Sequence, residues 1–386
     1  MLKLFRHLAS SLGIALLCAA LAHAEPGVSD TRIVFGQSLG YDSVWGGLFK
    51  NYSDGMLAYF AYINKKEGGV YGRMIEVKRM EDNYSVEKVV RNVKEFGESN
   101  EVFGLVCMGG TGPTLAFMPL IEQYKLPTVG TLTGFEGVRK YNRYLFHTRA
   151  GYSSEVERMV KHFGTVGISK IAVVYQDNAF GKGMLEVVKR ETTGPAIKIV
   201  AEIAHAAKGD DIEAVLPKIS ASATSNGAQA MLLFTSPESV AQIVKGYLAK
   251  YENMPQPWVL SVTSPSLVYA TLKEQARGIA ITQVMPHPQS HATRLAREFN
   301  DIMPRYASNP KNLTYEALEG YITAKVVVEA LKRAGPRPTR EAYVRALEGF
   351  GSVDFGDVFV KYSRTDHGGP FYTDVTIMAR DGTIFR

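Results

Sequence analysis

Three short segments of this chain carry residue types and spacings that could do chemistry. Gly36-Gln37-Ser38-Leu39-Gly40 fits G-x-S-x-G, the turn that presents a nucleophilic serine in α/β-hydrolases, and Asp366-His367 would be its partners. Gly109-Gly110-Thr111-Gly112 lies between an apolar run at 102–107 and a helical pattern at 114–124. A Gly-rich turn entering a helix offers unpaired N–H groups and a partial positive charge, which suits a carboxylate. An ordinary βα turn with no guest fits the same residues equally well. Gly130-Thr131-Leu132-Thr133-Gly134 adds two hydroxyls after another β-like run.

Other chemistries find less support. There is no H-E-x-x-H, no C-x-x-C and no P-loop. The turn at Gly109 lacks the G-x-G-x-x-G spacing and the acidic ribose partner of a dinucleotide site. His287 and His291 are four apart, but Pro286 and Pro288 prevent a regular helix, so a surface loop is expected. No metal or cofactor is therefore expected. The hydrolase motif is in the wrong place: only about a dozen residues of the expected mature chain precede Ser38, whereas an elbow follows several strands and an oxyanion loop. A serine hydrolase using Ser38 is kept as a remote alternative.

The elements that must position these residues alternate along the chain. A first strand is expected at 32–36 and a helix at 48–64, where Leu48, Tyr52, Met56, Tyr59, Phe60 and Ile63 keep helical spacing. Strands at 75–79, 102–107, 127–130 and 144–148 alternate with helices at 86–96 and 114–124. A second series starts near residue 150, with strands at 170–175, 197–203, 228–234, 258–262 and 278–284 separated by helical patterns. Two βα series of similar length predict an α/β fold of two Rossmann-like lobes with largely parallel sheets. Guests of such sheets bind beyond the carboxyl ends of the strands. The last third is different: helices at 292–306, 314–334 and 340–347 precede two β-like runs at 358–362 and 372–379.

Length and composition agree with two globular domains. The chain has 386 residues, 46% apolar and 21% charged, with a net charge of +6. Lys3 and Arg6 precede an apolar stretch at 8–21 and the small-x-small site Ala22-His23-Ala24, so residues 1–24 are expected to be a cleaved secretory signal. Without Lys3 and Arg6 there are 42 basic and 38 acidic residues, a net of +4, and no basic run exceeds a pair such as Lys65-Lys66. A nucleic-acid binder needs a basic face, so none is expected as a partner. Loss of Cys18 with the signal leaves Cys107 alone, which excludes an internal disulfide in the mature chain. With no anchoring cysteine context and no membrane span, the product is expected free in a bacterial periplasm.

The string Asn64 to Arg73, NKKEGGVYGR, followed by Ile-Glu-Val and Asp82, resembles the N-x-x-GG-(I/V)-x-G-(K/R) segment of the type I periplasmic binding proteins, in the leucine/isoleucine/valine-binding branch. FGLVCMGGTGPT, KIAVVYQDNAFGKG and EGYITAKVVVEALKRAG are similar to three further segments of that family, and the resemblance covers nearly the whole mature chain. It implies lobe one at 30–149 plus 286–350 and lobe two at 150–285 plus 351–386, joined by a three-strand hinge. It also implies a solute receptor of an ABC importer, expected to be a monomer, binding an amino acid or related small carboxylate and read by permease subunits in the inner membrane. A ligand-sensing receptor of the same fold is the alternative.

Position by position, the resemblance places Gly110, Thr111, Thr131 and Thr133 at the carboxylate, and Trp45 and Phe180 as aromatics at the cleft. Ser38 would lie on a loop at the rim. Thr235 falls where the family often has Tyr, and Thr263 near where its amino-acid binders have the Glu that pairs with the ligand ammonium. The segment 258–266 has no acid, so either Asp177 or another acid such as Asp42 takes that role, or the ligand has no ammonium. Arg149, at the first crossover, offers a second anion contact or a hinge ion pair.

Overall fold

A computed structural model describes residues 25–385 except 195 and 371. The expected signal at 1–24 lies outside the described residues. The chain opens with β1 (Arg32–Leu39), α1 (Gly46–Glu67), β2 (Met74–Glu81), α2 (Val86–Glu98), β3 (Gly104–Gly109), α3 (Thr111–Gln123), β4 (Thr128–Leu132) and β5 (Leu145–Phe146). These strands form one sheet in the order β2-β1-β3-β4-β5, and every pair is parallel. β3 and β4 are buried along their whole length, as inner strands covered on both faces must be.

A second series follows: α4 (Tyr152–Val166), β6 (Lys170–Gln176), α5 (Ala179–Glu191), β7 (Lys198–His205), α6 (Ile212–Thr224), β8 (Ala230–Phe234), α7 (Pro237–Lys250), β9 (Gln256–Val259), α8 (Pro265–Leu272) and β10 (Ala280–Gln283). The chain then returns to the first lobe with α9 (Arg294–Tyr306), α10 (Tyr315–Ala334) and α11 (Arg340–Glu348). α10 lies along α1, with Tyr59 and Tyr321 edge-to-face at 4.9 Å. The ends of the chain are β11 (Val353–Asp354), β12 (Phe359–Val360), β13 (Asp374–Met378) and β14 (Ile384–Phe385). The second sheet runs β14-β13-β10-β9-β8-β6-β7; β13 is antiparallel to both its neighbours and the other pairs are parallel.

The third crossing comes later than the sequence suggests. β11 and β12 pair only with each other, and Arg294 of α9 holds their turn through Asp354 and Asp357. The Tyr362 hydroxyl donates to the His147 carbonyl at 2.7 Å, and the His147 N–H donates to the His367 carbonyl at 3.0 Å. His367 stacks on Phe146 with centroids 3.9 Å apart. Residues 353–369 therefore pack on the first lobe, and only β13 and β14 join the second sheet, whereas everything after 350 was expected there. The β-like pattern of 358–362 could not reveal which lobe it would cover.

Local signals set the helix boundaries. Ser85, Asn178, Ser236, Thr293, Thr314 and Thr339 each accept a hydrogen bond from a first-turn N–H of the helix they precede. Gly68 ends α1 in the left-handed conformation, with φ +68°. Among the described residues, no helix is long and apolar enough to cross a membrane.

Candidate functional site

The first-lobe side of the interlobe gap is built where β3 and β4 end. Their register pairs Met108 with Thr131 and Gly109 with Leu132, so the turns that follow the two strands leave side by side. This brings Thr111 and Thr133 together: their hydroxyls are 2.8 Å apart, and Thr133 Oγ1 also accepts from the Phe135 N–H at 3.3 Å. α3 starts at Thr111 with no side-chain cap, because the residue before it is Gly110 at φ +88° and ψ 145°. Pro113 has no N–H, so the orphan donors of this helix start belong to Thr111 and Gly112. The Tyr84 phenol faces the Thr111 main chain. The Tyr152 phenol faces the Thr133 side chain and the Gly134 main chain. Burial pushes the Tyr152 hydroxyl up to about 12, against the nearby Arg149 charge, so it remains a neutral donor.

Aromatic rings from both lobes close over these donors. Trp45, the residue before α1, sits edge-to-face on Phe180 at 5.8 Å and against Tyr84 at 6.0 Å. Phe180 comes from the first turn of α5, which Asn178 caps, and its ring meets Tyr152 at 5.7 Å. Between them is a small space of about 10 Å³, bounded also by Leu48, Phe49, Gly110, Thr111, Leu132 and Val262. Its chemistry is apolar and aromatic on the walls, with hydroxyls and helix-start amides at one end. With the lobes apart, such a lining suits a small molecule with an anionic head and an apolar body.

A second space of about 10 Å³ shares the Leu48, Leu132 and Val262 walls with it. Its remaining walls sit against the hinge and mix Val284, Met285 and Tyr315 with Arg149, Ser261, Gln283, Glu316 and Glu319. Arg149, fully buried at the first crossover, lies 3.2 Å from Glu155 of α4 and 3.5 Å from Glu319 of α10. Glu155 is saturated, accepting from the Ser261 N–H at 2.9 Å, the Ser261 hydroxyl at 3.0 Å and Thr282 at 2.5 Å. Arg149 also donates to Ser261. Glu316 accepts from Asn51 at 2.8 Å and Ser264 at 2.7 Å. Burial, followed by the fields of Glu155 and Glu316, pushes the Glu319 carboxyl up to about 7 against the pull of Arg149.

The structure thus gathers Trp45, Gly110, Thr111 and Phe180 around one void, with Thr133 joined to it through Thr111. Thr131 is buried in β4 and its hydroxyl has no hydrogen-bond partner. Thr235 and Thr263 are buried just beyond β8 and β9, and neither bounds the two voids. Arg149 stands in the hinge ion pair. Asp177 turns outward to Lys182 at 2.6 Å and Asp42 to Lys50 at 3.7 Å, so neither acid suggested for a ligand ammonium reaches the chamber. Ser38 is not on a rim loop. It is buried inside β1, donates to Asp82 at 2.7 Å and accepts from Asn92 at 3.0 Å. His367 is spent on Phe146 and on the Leu145 carbonyl, so the serine and histidine of the hydrolase reading do not assemble. Sequence reasoning missed Tyr84 and Tyr152. The adjacent Asp82 and Arg149 were noticed, but nothing local marks either ring as facing the other lobe.

The sequence pattern of the periplasmic binding proteins matches residues 40–382. No curated protein matches the chain in sequence. Among solved structures, a substrate-binding periplasmic protein from Ralstonia solanacearum is 28% identical, with a TM-score of 0.83 over 92% of this chain and 99% of its own. A branched-chain amino acid ABC transporter protein from Thermus thermophilus with bound valine is 18% identical, with a TM-score of 0.81 over 93% and 96%. An ABC transporter solute-binding protein from R. palustris in complex with benzoate is 17% identical, with a TM-score of 0.79 over 92% and 95%.

Proposed function

The chain belongs to the periplasmic binding protein family, and on that premise we propose that it is the periplasmic solute receptor of an ABC importer, closing its two lobes over a small carboxylate. The observation that carries this reading is the uncapped start of α3 at Gly110-Thr111, joined to Thr133 and enclosed by Trp45, Tyr84, Tyr152 and Phe180. In water an uncapped helix start is satisfied by solvent. Enclosed by rings, its donors favour an anion that brings its own acceptors.

A carboxylate would accept from the Thr111 and Gly112 amides and the two hydroxyls, displacing the phenols of Tyr84 and Tyr152 toward its body. Valine and benzoate, the guests of two proteins with the same fold, both carry a carboxylate on an apolar body. The site makes and breaks no bond: closure is a rigid-body rotation about the crossovers, and the closed face is what the permease reads. The receptor acts as a monomer after export by the signal at 1–24.

A thermal-shift screen of short and aromatic carboxylates, each paired with its primary amide, tests this. A bound acid raises the melting temperature by linkage, and its amide raises it far less. For the acid that binds, Thr111→Val or Thr133→Val should raise Kd about tenfold or more, the cost of a lost hydrogen bond to a charged group. Equal shifts from acids and amides, or unchanged Kd in both variants, would refute the carboxylate assignment.

A further inference from the structure

Ser264 stands before α8 but does not cap it. Ser85, Asn178, Ser236, Thr293, Thr314 and Thr339 each spend their side chain on the helix that follows, whereas the Ser264 hydroxyl bonds no N–H of α8. It donates instead to Glu316 Oε1 at 2.7 Å and lies 3.1 Å from the Ser266 hydroxyl. Ser264 also holds φ +55° and ψ 100°, a left-handed backbone that a residue with a side chain rarely adopts. The forgone cap and the backbone strain both cost stability, and such strain persists only where surrounding contacts over-determine it.

The contact that Ser264 makes joins the two lobes. Ser264 follows β9 of the second sheet, and Glu316 lies in the first turn of α10, which packs along α1 on the first. Asn51 of α1 holds the same Glu316 oxygen at 2.8 Å. Ser264 and Glu316 are both buried, so their hydrogen bond is little weakened by water. The surfaces on either side fit closely. Leu267 of α8 rests on Gly47 of α1, where a Cβ would come within 3.0 Å of its Cδ2. Phe135, before the first crossover, rests on Gly183 of α5, where a Cβ would come within 2.3 Å of the ring. Glycine is a poor helix former, yet both helices carry it where the other lobe touches them. Between the lobes Trp45 and Phe180 meet ring to ring, and the space of about 10 Å³ beside them is no more than one water needs. This closed arrangement has no room for a carboxylate.

We infer that Ser264 and Glu316 form an interlobe latch, which holds the receptor in a self-occluded closure filled by its own rings, and that a guest enters only when the latch parts. Neither residue bounds the space beside Thr111, so the latch acts on the position of the lobes and not on the guest. The fraction of molecules with the latch parted scales the apparent affinity for any guest, and the latch thereby sets the concentration at which the receptor fills. The inference rests on the two-lobed fold and not on the carboxylate reading above.

The test needs no guest. Spin labels at Glu87→Cys and Lys208→Cys, exposed positions beyond β2 and β7 at the sheet edges remote from β5 and β13, report the gap by double electron–electron resonance. The protein is refolded from denaturant to strip any co-purified guest, and the buried Cys107 stays unlabelled. The parent protein should give mainly the short distance of the closed arrangement. Ser264→Gly removes the hydroxyl and relieves the positive φ, so it should keep its cooperative melt while the ratio of open to closed molecules rises about tenfold or more, as for a lost hydrogen bond to a charged group. Glu316→Ala removes the acceptor on the other lobe and should raise the ratio likewise. A parent protein that is mainly open, or a ratio unchanged in either variant, overturns the latch. Those outcomes leave the carboxylate reading untouched, which the screen of acids against amides tests by itself.

Discussion

Replacing Gly110 by alanine should damage both the fold and the site, and by more than backbone strain alone. Gly110 has φ +88° and ψ 145°, a region that costs a residue with a side chain on the order of 1–3 kcal/mol. A Cβ there would also sit 2.2 Å from Cε2 of Tyr84, so the ring must swing out of its contacts with Trp45 and Phe49. Gly68 provides the control. It too has positive φ, at +68°, but a Cβ there meets nothing within 4 Å. Gly68→Ala should therefore lose only the left-handed penalty of about 1 kcal/mol. Gly110→Ala should lose about 2 kcal/mol more, which in a lobe of this size lowers the melting temperature by a further 4–8 °C or so. The assay is differential scanning fluorimetry of the two variants, with and without a binding carboxylate. In Gly110→Ala the ligand-induced shift should shrink as well, because the added methyl crowds the helix start. Adding Tyr84→Ala should recover part of the lost stability, since the clash is with that ring. Equal melting of the two alanine variants, with full ligand shifts in both, would refute the packing assigned to this turn.

Two further perturbations follow from the geometry. Phe180→Ala removes the ring that touches Trp45 and Tyr152 across the gap, and should weaken ligand binding by about 2 kcal/mol, roughly thirtyfold, mainly through faster dissociation in stopped-flow; an unchanged off-rate would show that this ring is no lid. Glu319 titrates at about 7 in the fold and near 4.5 when unfolded, with Arg149, Glu155 and Glu316 facing it. The folded state thus holds the proton more strongly, and stability falls as pH rises from about 4.5 to 7, by an amount on the order of 3 kcal/mol. Urea denaturation should find Glu319→Gln more stable than wild type at pH 8, with the gap closing at pH 4.5; a gap that stays constant with pH would contradict the burial assigned to this carboxyl.

Much of this molecule is written in short stretches of chain. The alternation of apolar runs with helical spacing gives two βα series because each pattern depends only on neighbours a few residues apart. The Gly109-Gly110-Thr111 turn is legible for the same reason: a strand, a left-handed glycine and an uncapped helix start are one local event. Trp45 and Phe180 were legible only through resemblance to a family.

What the tertiary structure alone decides are the meetings between distant parts. Tyr84 and Tyr152 face the Thr111 and Thr133 donors because parallel strands end side by side and the lobes close. The small space beside the hinge draws Arg149, Gln283, Glu316 and Glu319 from a crossover, an inner strand end and a helix face. The hairpin at 353–360 covers the first lobe rather than the second because Arg294 and the 146–147 segment offer it partners there. Sequence patterning fixes which face of an element is buried, but not which surface buries it; that depends on how rigid bodies pack around a hinge, which no local period encodes.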